Sequence, residues 1–76
     1  ESPSLADRAA LYAAINGFLA TLPDRTRIVF LQRYWYMCTV EQIAGETGLS
    51  PANVKVMLHR TRQSFKAYLE KEGIEI

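Results

Sequence analysis

The 76-residue chain contains a single cysteine and a single histidine, which excludes the chemistry that clusters of these residues perform. Cys38 alone cannot form an internal disulfide, and no second ligand stands at metal-binding spacing beside His59. As a nucleophile–base pair, Cys38 and His59 lack a third group to orient the imidazole. We therefore expect no enzyme activity, no metal, no cofactor and no small-molecule substrate.

Long apolar runs are also missing. No stretch approaches the roughly 20 residues that a membrane-spanning helix needs, so no membrane association is expected. Residues 1–8 are polar with early acids and do not form a signal peptide. The composition, 49% hydrophobic and 22% charged, is ordinary for a soluble domain, and a cytoplasmic location is expected. Because the chain starts with Glu rather than Met, we interpret it as a fragment of a longer protein.

Apolar residues recur at helical spacing, and no alternating run typical of a strand is present. The pattern predicts one all-α domain over residues 1–76, with four helices at about residues 4–22, 24–36, 40–46 and 50–72. Ser4 is the expected cap of the first helix, whose apolar stripe is Leu11, Ile15, Phe18 and Leu22. The second helix is apolar around most of its circumference, which predicts that it is the hub of the core, with Trp35 packed inside.

Residues 39–66 have the steric pattern of a helix-turn-helix. Gly48 stands at the bend, where a residue that adopts positive φ without strain is favoured. Ala44, four residues earlier, permits close helix crossing, and Val54, six residues later, fills the angle between the helices. We therefore predict a small four-helix domain of the winged-helix-like or homeodomain-like class, without a wing.

Capping residues mark both helices of this motif. Thr39 with Gln42 three residues later forms a capping-box pattern. Ser50 precedes Pro51, which is tolerated at the first helical position because its missing N–H has no intrahelical acceptor. The last two helices are therefore predicted to start near residues 40 and 51.

Charge is distributed unevenly although the net charge is only +1. Seven of the nine Lys and Arg residues, but only the acids Glu41 and Glu46, lie between residues 25 and 66. An anionic partner and a set of solvated helix faces both explain this excess. The last helix carries a more specific pattern, since one face presents a stripe about 16 Å long at ~1.5 Å per residue, formed by Lys55, His59, Arg62 and Lys66.

The basic helix after the turn predicts binding to double-stranded DNA, because the major groove accepts one α-helix and reads its N-terminal half. The residues expected in the groove are Ser50, Ala52, Asn53, Lys55, Val56 and His59. Those expected at phosphates are Arg60, Arg62, Lys66 and Thr39, while Arg33 is expected at a phosphate or a base edge. Some alternatives stay open: Asn53 as a cap, His59 as a solvated side chain, and Arg33 in an ion pair with Glu41 or Glu46.

The connection before the motif is unusually apolar. Tyr36 and Met37 are either the edge of the core or an exposed docking patch for a protein partner.

These residues together resemble region 4 of bacterial RNA polymerase sigma factors of the extracytoplasmic-function type. The resemblance covers about two thirds of the chain and rests on Leu22-Pro23, Arg25 or Arg27, Arg33-Tyr34, the run from Glu41 to Ala44, Gly48, Ser50-Pro51, Val54-Lys55 and the run from His59 to Arg62. It implies a four-helix domain that recognises the promoter −35 element, docks on the β-flap of RNA polymerase, is often sequestered by an anti-sigma factor, and lies at the nucleoid when in holoenzyme. The family contacts it implies are Arg33, Lys55, Val56, His59 and Arg60, with Thr39 near a phosphate.

The chain departs from the family pattern at two places. Val56-Met57 stands where Ser-Arg is common, which removes a hydroxyl and a cation from the reading helix. Met37 stands where a glycine is common. Two alternatives remain beside promoter recognition: an output domain of the response-regulator type, which usually dimerises through its last helix, and a module that chiefly docks on an anti-sigma factor or the polymerase flap.

Overall fold

The computed structural model of the chain describes residues 5–74, and side chains from Arg8 onward. It contains four helices and no strand in that range: α1 (Leu5–Thr21), α2 (Asp24–Tyr34), α3 (Val40–Thr47) and α4 (Pro51–Lys71). The predicted all-α, four-helix class is confirmed, while the predicted cap Ser4 lies outside the described residues. None of the helices in this range is both long and apolar enough to span a bilayer.

The core is organised around α4 rather than around α2 as predicted. α4 packs against each of the other three helices. Its buried stripe is Val54, Leu58, Thr61 and Leu69. α2 buries only Val29 and Phe30, and Ile28 on the same helix is 49% exposed. A helix with apolar residues on most of its surface therefore still has a solvent-facing side in this small domain.

The centre of the core lies between α2, α3 and α4. Its buried residues are Val29, Ile43, Ala44, Val54 and Leu58. Three of them, Val29, Ile43 and Val54, are almost completely removed from solvent. The small Ala44 permits the close crossing that the sequence pattern required. This cluster therefore fixes the angle between α3 and α4.

An aromatic cluster joins α1 to the rest of the domain. The ring of Phe18 lies 5.0 Å from that of Phe65 and 6.1 Å from that of Phe30, centroid to centroid. The ring of Tyr68 also packs on Phe18, at 5.6 Å between centroids. Of the predicted α1 stripe, Phe18 is buried while Leu11, Ile15 and Leu22 are half-buried, and Ala14 is the second buried position. Tilted and edge-to-face contacts of this kind add stability beyond burial of the rings.

α2 ends at Tyr34, about two residues earlier than predicted. The N–H groups of Trp35 and Tyr36 both donate to the carbonyl of Leu31, at 2.8 and 3.1 Å. Met37 then adopts φ +57°, in the left-handed region, and the chain turns away from the helix axis. Trp35 is 70% exposed, so the prediction that it belongs to the core was wrong. Trp35 still has helical backbone angles and stands two turns after the exposed Ile28, so it lies on the same solvent-facing side of α2.

Arg27 ties the end of α1 to the start of α2. Its Nε donates to the carbonyl of Leu19 and its Nη2 to the carbonyl of Leu22, both at 2.9 Å. Nη1 lies 3.4 Å from the Asp24 carboxylate. The Leu19 carbonyl also accepts from the Leu22 N–H at 3.2 Å, so the guanidinium adds a second bond there and gives the Leu22 carbonyl a partner at the helix end. Arg27 was counted in the basic excess, but its role in this fold is structural.

Replacing Arg27 with Met is expected to lower the free energy of unfolding by about 1–2 kcal/mol, because two bonds from a charged donor are lost. Chemical denaturation followed by circular dichroism measures the change. Arg25→Met is the matched control, since Arg25 is exposed on the same helix and its side chain is not hydrogen-bonded to any described residue. Equal effects of the two substitutions would contradict the structural role of Arg27.

Candidate nucleic-acid interface

The N-terminus of α3 is held by the predicted capping box. The Gln42 N–H donates to Thr39 Oγ1 at 3.1 Å, and the Thr39 N–H donates to Gln42 Oε1 at 2.8 Å. Two of the four donors that a helix start leaves without intrahelical acceptors are thereby satisfied. The N–H groups of Val40 and Glu41 remain at the helix end, beside the exposed Thr39. This end of α3 can therefore offer N–H donors to an anion.

The turn between α3 and α4 has the geometry that the sequence predicted. Gly48 has φ +77°, and its N–H donates to the Ala44 carbonyl at 3.0 Å. Ser50 Oγ then accepts from the Asn53 N–H at 3.1 Å, with Pro51 at the first helical position. A side chain at Gly48 would be strained because L residues rarely adopt this backbone conformation. The structure confirms the predicted helix-turn-helix: both helix caps, the bend at Gly48 and the buried residues between α3 and α4.

The outer surface of α4 is basic over its first four turns. Every residue predicted in the groove or at phosphates on this helix is exposed: Ala52, Asn53, Lys55, Val56, His59, Arg60, Arg62 and Lys66. No acidic residue occurs between positions 51 and 66. Within the described side chains, the only ion pair is Arg27 with Asp24, so these cations are not neutralised by a described carboxylate. The surface can therefore offer its full positive charge to an anionic partner.

At 100° per residue the exposed positions divide into two adjacent strips of the helix. Lys55, His59, Arg62 and Lys66 form one strip, as the spacing predicted. Ala52, Val56, Arg60 and Gln63 form the strip beside it, opposite the core. The first turn of α4 carries mostly uncharged side chains, which suits contacts with base edges. The later turns are more basic, which suits contacts with phosphates.

Gln63 was not among the predicted contact residues, although it shares this surface. Its amide nitrogen lies 3.4 Å from His59 Nε2. With Arg62 and Lys66, these two side chains line a shallow open groove of about 300 Å³. Gln63 stands four residues after His59, and this helical spacing is the sequence signal that indicates the proximity of the two side chains.

Arg33 lies beside the N-terminus of α3, and the structure shows why. Its Nη1 donates to the carbonyl of Cys38 at 3.1 Å, while the side chain remains exposed. The alternative ion pair with Glu41 or Glu46 is not formed; Glu46 instead accepts from the Gln32 amide at 2.6 Å. Arg33 is thus held at the residue that precedes Thr39, at the start of α3.

Tyr36 and Met37 are exposed, by 68% and 78%, so the core-edge alternative was wrong. With Trp35 they form an apolar surface, which we call the linker patch. Met37 occupies the left-handed conformation at the position where a glycine is common in the family that the sequence resembles. A methionine in this conformation strains the backbone and lowers the stability of the fold, so a stabilising role does not explain it.

The chain matches a known protein family. A family model described as "Sigma-70, region 4" matches residues 12–65, well over half of the chain. No curated protein matches the chain. The matched residues include all of α2, α3 and the turn, with most of α1 and the part of α4 up to Phe65. This is a family of DNA-binding domains that work with RNA polymerase in transcription initiation, not a family of enzymes. The chain therefore belongs to the sigma-70 region 4 family, as the helix-turn-helix DNA-binding domain of a sigma factor.

Proposed function

We propose that this domain recognises the −35 element of promoters, as region 4 of an alternative sigma factor of the extracytoplasmic-function type. It thereby directs RNA polymerase to those promoters. The observation that carries the proposal is the exposed surface of α4, which has no acid over its first four turns and follows a fully capped helix-turn-helix. Family membership supports the same function at the level of DNA binding.

In this proposal the start of α4 enters the major groove. Lys55 donates to guanine N7 and O6, and Val56 contacts a thymine methyl group. Asn53 is available for adenine, because its backbone N–H, rather than its side chain, takes part in the Ser50 cap. Ser50 and Ala52 line the entry to the groove, where small side chains permit close approach.

Phosphate contacts then fix the register of the helix on the duplex. Arg60, Arg62 and Lys66 provide the cations farther along α4. Thr39 and the free N–H groups of α3 face a phosphate on the other side of the groove, with Arg33 beside them. Such an arrangement holds α3 across the backbone while α4 reads the bases.

Selection from a random duplex pool, followed by salt titration of the selected sequence, tests the proposal. The expected result is one enriched motif and a linear decrease of log affinity with log salt concentration. The slope is expected near −3, since about −0.9 is contributed by each of roughly three phosphate contacts. Absence of binding to every duplex at low salt would contradict DNA recognition, and binding without an enriched motif would contradict −35 recognition.

We further propose that the linker patch docks the domain on the β-flap of RNA polymerase, and that an anti-sigma factor covers the same patch. Three consecutive large apolar side chains in solvent, one of them in a strained backbone conformation, support a protein-binding role.

Replacing both Tyr36 and Met37 with Ser is expected to weaken binding to the isolated flap at least about tenfold, because exposed aromatic anchors dominate such interfaces. Surface plasmon resonance measures the flap affinity, and the selected duplex provides the control measurement. DNA affinity and the free energy of unfolding are expected to change little, since both side chains lie in solvent. Unchanged flap binding would contradict the docking role.

A further inference from the structure

Val56 points away from the core of the domain, although its side chain is apolar. The buried residues of α4 are Val54, Leu58, Thr61 and Leu69. At about 100° per residue, Val56 lies on the opposite side of the helix from the mean direction of these four. Its side chain is 46% exposed. Burial within the fold therefore does not explain an apolar residue at this position.

Ala52 extends the same apolar surface by one turn toward the start of α4. Residues four apart on a helix are neighbours, and Ala52 is exposed like Val56. We call these two side chains the apolar pair. Lys55 and Arg60, which are both exposed, lie on either side of the pair. Because cations flank it, the pair suits the surface of DNA better than an apolar surface of a protein.

In the proposed placement of α4, the apolar pair faces the floor of the major groove, because it lies opposite the core. Neither side chain has a donor or an acceptor, so neither can form a hydrogen bond with a base edge. The apolar group that the major groove offers is the methyl group on C5 of thymine. 5-Methylcytosine carries the same group at the same place on its ring, whereas cytosine and deoxyuridine carry hydrogen there.

We infer that the apolar pair is a site for the C5-methyl group of a pyrimidine, and that it accepts 5-methylcytosine as well as thymine. The inference rests on the proposed DNA recognition and adds regulation to it, since methylation of a cytosine at the contacted position strengthens binding to the promoter. The preference comes from the removal of apolar surface from water on both sides of the contact. Opposite cytosine or deoxyuridine, a gap of the size of a methyl group separates Val56 from the base.

The size of the effect is that of one methyl group. Burial of a methyl-sized apolar group strengthens binding roughly three- to fivefold. We expect this loss when thymine at the contacted position is replaced with deoxyuridine, and the same gain when cytosine there is replaced with 5-methylcytosine. The hydrogen-bonding groups of the base pair stay the same in both replacements, because the bases differ only at C5.

The experiment uses the duplex selected from the random pool, with each thymine in turn replaced with deoxyuridine. Fluorescence anisotropy at constant salt gives the affinities of the parent chain and of Val56→Ser for every duplex. The parent is expected to lose affinity roughly three- to fivefold at one position. At that position, a duplex with 5-methylcytosine is expected to bind more tightly than a duplex with cytosine by the same factor. Val56→Ser is expected to lose most of both differences, because most of the apolar surface of the pair is missing.

Lys55→Ala is the matched control, since it removes a neighbouring side chain and leaves the apolar pair in place. It is expected to bind all duplexes more weakly and to keep both affinity ratios. Because Val56 is exposed, Val56→Ser is expected to keep the fold, which circular dichroism verifies.

Two results would overturn the inference and leave DNA recognition intact. One is equal affinity of the parent for the selected duplex with and without each C5-methyl group. The other is full methyl dependence in Val56→Ser, which would mean that another residue contacts the methyl group. Failure of the parent to bind any duplex at low salt would overturn both the inference and the proposed function.

Discussion

Replacing Ile43 with Ala is expected to lower the free energy of unfolding by about 2–5 kcal/mol, a large effect for one residue. Ile43 is 0% exposed and lies where α3 meets the core. The substitution removes three carbon atoms from between Val54 and Val29, and the helices cannot close the gap without losing the crossing angle. Small domains have total stabilities of only about 5–15 kcal/mol, so this loss is a large fraction of the total.

Ile28→Ala is the matched control, because it makes the same change on a helix surface where the side chain is 49% exposed. Ile28→Ala is expected to lower the free energy of unfolding by well under half the loss for Ile43→Ala, because less buried apolar surface is removed. Urea unfolding followed by circular dichroism gives both free energies. Similar losses for the two variants would mean that the core is not centred on the α3–α4 angle.

Replacing Lys55 with Ala is expected to reduce affinity for the selected duplex about 10- to 100-fold, the discrimination that one good base contact provides. Lys55 is exposed in the second turn of α4, with no described carboxylate beside it. A repeated selection with the variant is expected to lose preference at one position of the motif, because a base contact rather than a phosphate contact is lost. Fluorescence anisotropy on the selected and a scrambled duplex measures both effects.

Two other lysines on α4 provide matched controls. Lys66→Ala is expected to weaken binding to the selected and scrambled duplexes equally and to reduce the salt slope by about 0.9. Lys71→Ala lies in the last turn, next to Glu70 and Glu72, and is expected to change neither affinity nor slope. If Lys55→Ala weakened both duplexes equally, Lys55 would be a phosphate contact and base reading would have to lie elsewhere on α4.

The sequence alone determined the four helices, the capping box at Thr39, the Ser50-Pro51 start and the bend at Gly48. These features depend on interactions within a few residues, so local spacing encodes them. The same is true of the basic strip on α4, because residues at helical spacing share a face in any helix. The resemblance to sigma region 4 was confirmed by the family match, which decides against the response-regulator alternative.

Only the tertiary structure decided which apolar residues are buried. Ile28 and Ile43 have the same side chain, yet one lies in solvent and the other in the core, because burial depends on which neighbouring helices pack against each face. Trp35 lies in solvent because it falls on the solvent-facing side of α2, two turns after Ile28. Arg27 binds carbonyls of Leu19 and Leu22 because the turn between α1 and α2 brings the guanidinium to that helix end. These outcomes depend on the packing of whole helices, which local spacing does not encode.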